Sequence, residues 1–257
     1  MPAAENFAFV LARTRQPGNI GSAARALKNM GFEDLRLVAP LRSGRSRAAV
    51  DMAVHAGDVL ESARVTRTLA EALDDATLTV GTTCRGGLYR AGTEPLREAS
   101  ADLANLARKN RIAIVFGPED TGLTNQELAL CQRLITIETG PGYRSLNLAQ
   151  AVMLVAYQLR LALDSQSGAK PDSPEFAPAR EVDAMLERMA QALVAIGFLP
   201  ADNPEHIMFA LRGMLGRSGV AARELEILNG IASQMRWVAE GGHATLARKR
   251  RAGKKLR

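Results

Sequence analysis

Short runs of apolar residues recur through the first two thirds of the chain, and stretches with helical spacing separate them. Strands that alternate with helices are typical of a parallel sheet covered by helices on both faces. The pattern therefore predicts an α/β domain over residues 1–163. The runs that predict its buried strands are residues 7–12, 35–38, 78–80, 112–116 and 134–137.

Local signals place helices between these strands. A helix is predicted over residues 22–30, and Gly31 supplies a stop signal at its end. The spacing of a capping box, threonine followed three residues later by glutamate, occurs at residues 68–71 and 124–127. A long apolar helix is predicted over residues 151–163.

The pattern changes beyond residue 163. Residues 164–179 are rich in Ser, Pro, Gly and Ala, which predicts a linker. Residues 180–245 repeat apolar positions at helical spacing, so we expect a small all-helical extension, with a basic tail over residues 246–257. Asn203 followed by Pro204 predicts a helix start within the extension. The expected helices cover residues 182–196, 207–215 and 225–237.

The positive charge of the chain is concentrated at its C-terminus. Residues 248–257 hold seven basic residues and no acidic one. Without these seven charges the formal net charge of +6 becomes about −1, so the high isoelectric point is mostly an effect of the tail. We expect the tail to be disordered and to add salt-sensitive affinity for phosphate backbones.

The composition argues against several classes of protein. The apolar runs stay far short of the length that a membrane span needs, and the N-terminus has no signal-peptide pattern. Cys84 and Cys131 stand alone, without CxxC or histidine spacing, which argues against a zinc site and against a disulfide scaffold. We therefore expect a cytoplasmic protein with no metal and no membrane partner.

Three loops that follow predicted strands form the candidate site, because ligands bind beyond the carboxyl ends of strands in open parallel sheets. Each loop also has an ordinary structural explanation. The first needs only a glycine turn, the second only acidic residues at a helix start, and the third only a helix cap at Ser145 or Asn147. The loops cover residues 15–25, 116–123 and 140–150.

The residues of these loops narrow the chemistry. The first loop lacks the GxGxxG and GK[ST] fingerprints of common nucleotide sites. Arg25 is expected one turn into the next helix, facing any anion that the loop holds. In the second loop, Gly117 would let a ligand approach the backbone closely. Glu119 and Asp120 suit acid–base chemistry or magnesium, but adjacent carboxylates usually point apart, which argues against a metal site.

Taken in order, the loops resemble the motifs of the SPOUT superfamily of knotted methyltransferases, in the branch that methylates ribose 2′-hydroxyls. The N-x-G…R motif corresponds to Asn19, Gly21 and Arg25. The motif F-G-x-E-x-x-G-L corresponds to residues 116–123, and S-L-N-L-A-x-A to residues 145–151. The end of the chain resembles the helical extension of TrmJ-type tRNA methyltransferases at Arg212, Arg217, Glu224, Leu228, Gly230 and Ile231.

This resemblance implies a fold, a cofactor and a substrate. The fold is an α/β SPOUT fold with a deep trefoil knot, and the cofactor is S-adenosyl-L-methionine. The resemblance also implies a homodimer in which the partner's first motif completes each active site. The implied substrate is tRNA, methylated on the ribose of cytidine or uridine 32 in the anticodon loop. Residues implied to line the cofactor pocket are Thr82, Thr83, Cys84, Gly117, Ile137, Arg144, Ser145 and Leu146, with Cys84 as a wall residue and not a nucleophile.

The catalytic residues implied are Arg25, Asn19, Glu119 and Asn147. Because a guanidinium stays protonated, we expect Arg25 to hold the phosphate beside the target ribose and to stabilise the oxygen as it loses its proton. A substrate phosphate or Glu119 would accept that proton, and Asn19 and Asn147 would orient Arg25 or the ribose. The alternatives are an rRNA ribose methyltransferase of the same fold and a catalytically silent RNA-binding protein.

Overall fold

The strands form a single parallel sheet in the computed structural model, which describes residues 3–85, 92–140, 142–165, 174–200 and 202–242. They are β1 (Phe7–Ala12), β2 (Asp34–Val38), β3 (Arg64–Thr66), β4 (Leu78–Thr82), β5 (Glu94–Pro95), β6 (Ile112–Phe116) and β7 (Arg133–Thr136). Their order in the sheet is β3-β2-β1-β6-β4-β7-β5, and every neighbouring pair is parallel. The predicted α/β class with a parallel sheet is confirmed.

Burial on both faces explains which strands the sequence reveals. In β1, Phe7 and Phe9 enter the core on one face of the sheet, whereas Ala8 and Val10 enter it on the other. Such a strand reads as a continuous apolar run, and the predicted bounds of β1 and β6 match the structure. The pattern misses β3, which is largely exposed, and β5, which is very short and contains a proline.

Helices pack on both faces of the sheet. On one face α1, α3, α5 and α7 bury their apolar sides, with α2 lying on α1, and on the other face α4 and α6 do so. Within the described residues, no helix is long and apolar enough to cross a membrane. The bounds are α1 (Pro17–Asn29), α2 (Arg47–Ala53), α3 (Gly57–Ser62), α4 (Leu69–Ala72), α5 (Leu96–Leu106), α6 (Asn125–Ala129) and α7 (Leu148–Asp164).

The predicted start of α1 at residue 22 is wrong. The helix begins at Pro17, since proline is tolerated in the first turn, where no intrahelical N–H bond is needed. Gly21 consequently lies inside the helix and not in a turn. A Cβ atom there would lie 2.8 Å from the carbonyl carbon of Ala49 and 3.0 Å from the nitrogen of Ala53, so this glycine lets α1 and α2 pack closely.

Three further helices follow residue 178: α8 (Ala179–Ala195), α9 (Glu205–Ser218) and α10 (Ala222–Ala239). They share a small core that includes Val182, Met185 and Leu225. The expected N-cap at Asn203 is wrong by one residue, because Pro204 occupies that position. The linker prediction falls partly on residues 166–173, which lie outside the described residues, and α7 and α8 extend into its two ends.

The C-terminal helices contact the sheet domain directly. Phe209 of α9 packs against the core on the α4 and α6 side of the sheet. The chain leading into α8 is held by backbone bonds, since Ala179 N–H donates to the Ala76 oxygen at 2.9 Å and Phe176 N–H donates to Asn110 Oδ1 at 2.9 Å. The C-terminal end of the predicted linker, which leads into α8, is therefore fixed to the sheet domain by hydrogen bonds.

Candidate active site

Side chains from the three motifs form one hydrogen-bonded group at the carboxyl edge of the sheet. Asn147 donates from Nδ2 to Oδ1 of Asn19 at 2.9 Å, and Asn19 donates from Nδ2 to Oε1 of Glu119 at 2.6 Å. We call Asn19, Glu119 and Asn147 the polar triad. Motifs that lie far apart in the chain thus meet through direct side-chain contacts.

The two asparagines of the polar triad are held by the helices that begin there. Asn19 lies in the first turn of α1 and is only 8% exposed. Asn147 is the N-cap of α7, where its Oδ1 accepts from the backbone N–H groups of Ala149 and Gln150 at 2.9 and 3.3 Å. Of the two predicted cap residues, Ser145 and Asn147, the structure has Asn147 as the N-cap. Capping with Oδ1 leaves Nδ2 free to reach Asn19.

Glu119 binds N–H donors with both of its oxygens. In addition to the bond from Asn19, its Oε2 accepts from the backbone N–H of Arg15 at 3.3 Å. The neighbouring Asp120 forms an ion pair with the Arg15 side chain at 3.0 Å. Both carboxylates therefore bind the segment that leads into α1. Among the described residues, no cluster of three or more potential metal ligands is found.

A pocket opens beside the polar triad, and the structure brings all eight residues expected at the cofactor into its lining. Its polar wall includes Glu119 itself. The sequence did not assign several other lining residues to the cofactor. Phe116, Leu123, Leu148 and Ala151 belong to the second and third motifs, whereas Arg85 and Thr121 match no motif letter and carry no such signal.

The missing side chain of Gly117 makes room for the loop at Gly122 and Leu123, whereas the sequence analysis expected it to make room for a ligand. A Cβ atom at this position would lie 2.8 Å from Cα of Gly122 and closer still to the backbone of Leu123. The space above Gly117 is therefore occupied by its own loop, which folds back on itself. The expectation that the missing side chain admits a ligand is corrected, although Gly117 does line the pocket.

A further ion pair near the site joins Arg13, which follows β1, to Glu127 of α6. The guanidinium donates to both carboxylate oxygens, at 2.8 and 2.7 Å. Glu127 also completes the capping box of α6 with Thr124, as the spacing predicts. Burial disfavours ionisation of Glu127, but the bonds from Arg13 and Thr124 outweigh it and hold its pKa below the usual value. No sequence motif pointed to Arg13.

The structure does not bring Arg25 to the pocket of its own chain. Because α1 begins at Pro17, Arg25 lies deep in the helix and not in its first turn, so the expected position is wrong. Its side chain is exposed and makes no hydrogen bond or ion pair with any described residue. Asn147 donates to Asn19 and Asn19 donates to Glu119, without Arg25 of the same chain. That the two asparagines orient Arg25 or the ribose stays a prediction.

Comparison with known proteins identifies the family. The profile of the SpoU rRNA Methylase family matches residues 6–157. The chain belongs to the SpoU methylase family. A second profile, the C-terminal domain of the tRNA methyltransferase TrmJ, matches residues 180–250, which include α8 to α10.

Two TrmJ proteins are similar to this chain over about nine tenths of its length, and a third protein is similar over a shorter part. The chain is 38% identical over 244 residues to the tRNA (cytidine/uridine/adenosine-2′-O-)-methyltransferase TrmJ of Pseudomonas aeruginosa, covering 90% of this chain and 94% of that protein. The crystal structure of TrmJ from Z. mobilis is 34% identical, with a TM-score of 0.74, over 89% of this chain and 98% of that one. AviRb of Streptomyces viridochromogenes, solved with AdoMet, is 22% identical with a TM-score of 0.52 over 63% and 62% of the chains, and it shares the fold.

Proposed function

We propose that this SpoU methylase is a tRNA 2′-O-methyltransferase that uses S-adenosyl-L-methionine. The observation that carries the proposal is the polar triad, which joins the three motifs beside a pocket lined by the expected residues. The relatives along nearly the whole chain are named as tRNA 2′-O-methyltransferases, which supports both the reaction and the class of RNA.

The pocket fits the chemical groups of this cofactor. Apolar side chains such as Leu123, Ile137 and Leu148 suit an adenine ring, and the hydroxyl of Ser145 suits ribose. Arg144 supplies a positive charge for the carboxylate of the amino-acid end. When bound, S-adenosylmethionine supplies a methyl group on a positively charged sulfur, so transfer to a ribose oxygen needs alignment and no metal.

The polar triad acts in this proposal by positioning. Glu119 fixes Asn19, and Asn19 fixes Asn147, so residues of all three motifs are held together beside the pocket that Glu119 lines. Because both oxygens of Glu119 already accept N–H bonds, we assign the proton of the ribose hydroxyl to a substrate phosphate and not to Glu119. Arg25 holds that phosphate and stabilises the oxygen as negative charge develops.

Arg25 reaches the reaction from the second subunit of a homodimer. The exposed position of Arg25, away from the pocket of its own chain, supports this assignment. A dimer also needs an apolar surface, and α7 has one. Leu154, Tyr157 and Leu161 follow one another at helical spacing and are 40%, 48% and 46% exposed.

Four finer features belong to the same proposal. The target is the ribose of cytidine or uridine 32 in the anticodon loop. The last third of the α/β domain forms a deep trefoil knot that holds the cofactor. Residues 1–163 form the methyltransferase domain and residues 180–245 an extension for tRNA, joined by the segment 164–179. The protein acts in the cytoplasm. The family match of residues 180–250 to a TrmJ domain favours tRNA over rRNA.

The test is methylation of defined RNAs by the purified protein. Unmodified tRNA transcripts and rRNA fragments are incubated with isotopically labelled S-adenosylmethionine, and mass spectrometry locates the methyl group. We expect 2′-O-methylation at nucleotide 32 of tRNA. Methylation of rRNA alone would overturn the assignment of substrate, and binding of tRNA without any methylation would indicate a silent RNA-binding protein.

A further inference from the structure

We propose that residues 41–47, which lead from β2 to the first residue of α2, form a phosphate-binding element for the RNA substrate. We call this segment the arginine loop. The proposal rests on the proposed function, because it assigns part of the RNA-binding surface of that same site. Its evidence is the charge of the loop, its place in the fold and the way in which it is held.

The arginine loop is positively charged without local compensation. It contains Arg42, Arg45 and Arg47, and no acidic residue stands between Asp34 and Asp51 in the sequence. Arg42 is exposed and makes no ion pair with any described residue. Arg47 is 94% exposed, and its nearest carboxylate oxygen, on Asp51, lies 3.8 Å away, which is a weak surface pair.

Many other arginines of the structure behave differently. Arg36 and Arg133 are buried with two carboxylates each, and Arg64 pairs with Asp74 through two bonds at 3.0 Å. The positive charges of these three arginines are neutralised by carboxylates of the fold. Arg42 and Arg47 lack such close ion pairs, and an exposed guanidinium with free N–H groups matches a phosphate in charge and geometry.

The arginine loop lies beside the first motif. The ends of β1 and β2 are adjacent in the sheet, and Leu41 N–H donates to the oxygen of Thr14 at 3.0 Å. Gly44 lies against α1, since a Cβ atom there would be 3.6 Å from Cγ2 of Ile20. Ile20 follows Asn19 of the polar triad. An RNA strand bound by the loop would therefore lie at the same edge of the sheet as the triad.

The arginine loop is also held in place by the third of its arginines. Arg45 is exposed and donates from Nη2 to the backbone oxygen of Glu61 at 2.7 Å. Its own N–H donates to Oγ of Ser43 at 3.2 Å. We therefore assign Arg45 to holding the loop, and Arg42 and Arg47 to the ligand. A loop of this kind contacts the phosphate backbone and reads no bases, so its contribution depends on salt and not on sequence.

The experiment compares two double variants with the same loss of charge. R42A/R47A removes the ligand-facing arginines. R97A/R108A removes two exposed arginines at the two ends of α5, which follows β5 at the opposite edge of the sheet and lies outside the proposed tRNA extension. The affinity for an unmodified tRNA transcript is measured at several salt concentrations by fluorescence anisotropy, and the affinity for S-adenosylmethionine is measured by calorimetry.

We expect R42A/R47A to bind tRNA on the order of tenfold more weakly, with a salt slope reduced by about 1 to 2, and to retain cofactor affinity. R42K/R47K, which keeps the charge, should recover most of the affinity. Equal tRNA binding by R42A/R47A and the wild type, or equal weakening in both double variants, would overturn the proposal. If the wild-type protein methylates tRNA but R42A/R47A binds tRNA normally, the proposal for the arginine loop is wrong and the proposed function stands. If the wild type does not act on tRNA, the proposed function fails.

Discussion

At the scale of single residues, the fold gives the two cysteines opposite reactivity. Cys84 is exposed in the pocket wall, whereas Cys131 is buried and burial raises the pKa of its thiol to about 12. Alkylating reagents attack the thiolate, which a buried thiol with a high pKa does not form at neutral pH. We predict that iodoacetamide labels Cys84 and leaves Cys131 unlabelled in the native protein, as peptide mass spectrometry would detect.

The same labelling reports on the proposed cofactor pocket. Saturating S-adenosylmethionine should slow the labelling of Cys84, and the Cys84→Ser variant should take up no label unless it is denatured. Labelling of Cys84 at the same rate with and without the cofactor would contradict its assignment to the pocket wall.

Arg25 provides a second prediction at this scale. Its side chain is exposed and pairs with no described residue, so its removal should cost little stability. We predict that Arg25→Ala and Arg25→Lys both lose most of the methyl-transfer rate while binding S-adenosylmethionine normally. Lysine keeps the charge but loses the planar pair of donors, which is why it is not expected to rescue the rate. Single-turnover rates close to that of the wild type in either variant would exclude the role.

At the scale of secondary-structure elements, the strands with both faces buried and the helix starts with side-chain caps could be predicted. β1 and β6 are continuous apolar runs, and the capping box at Thr124 is present as expected. The start of α1 could not be predicted, because the glycines at positions 18 and 21 are typical of a turn. Only the packing of α1 on α2 explains Gly21. β5 was missed because pairing with β7, not an apolar run, creates it.

The candidate site, like the secondary-structure elements, could be predicted only in part. The motif residues that contact the pocket could be named from their order in the chain. The bonds of Asn19 to Glu119 and of Arg13 to Glu127 could not, since each joins residues that only the sheet order brings together. Arg25 was placed wrongly for the same reason that the helix start was, because its direction depends on where α1 begins.

The link between Arg13 and α6 leads to a prediction about pH. The pKa of Glu127 is lower in the folded protein than its usual value of 4.5, so ionised Glu127 stabilises the fold above that pH, and the stabilisation is lost as the pH falls through the folded pKa. We predict that Glu127→Gln lowers the free energy of unfolding at pH 7 by about 1 kcal/mol, through loss of the bonds to Arg13 and of the cap.

This difference should shrink as the pH falls from 4.5 through the lower pKa of folded Glu127, because Glu127 then becomes uncharged like glutamine. Urea unfolding at several pH values measures it. Glu226→Gln, a change at an exposed position of α10, is the matched control and should have little effect. A deficit of the same size at acidic pH would show that the charge of Glu127 is not responsible.

At the scale of the whole molecule, the basic tail of residues 248–257 is known from its sequence, since it lies outside the described residues. It holds seven positive charges, which add affinity for RNA that weakens with salt. We predict that removing residues 248–257 weakens tRNA binding and flattens its dependence on salt, while cofactor affinity stays unchanged. Binding curves that coincide with those of the full chain at every salt concentration would refute this role.

The proposed dimer predicts that two inactive variants restore activity when they are combined. If Arg25 acts on the partner's pocket, an Arg25→Ala chain still has a functional pocket, and a chain with a blocked pocket still supplies a functional Arg25. Ser145→Trp is the chosen block, because Ser145 is exposed in the pocket lining and a large side chain there fills the pocket without entering the core. Each variant alone should be inactive. Mixed dimers of the two should regain activity, because one of their two sites has an intact pocket and an intact partner arginine.

A chain with both changes separates this arrangement from an arginine that acts within its own subunit. In dimers of that chain with the wild type, the wild-type pocket would meet an alanine from its partner, so the double variant should suppress wild-type activity as mixed dimers form. An arginine that acts in its own subunit would leave the wild-type site working in such dimers, and R25A mixed with S145W would stay inactive. Co-expressed chains with two different affinity tags isolate the mixed dimers, and their methylation rates per site decide between the two arrangements.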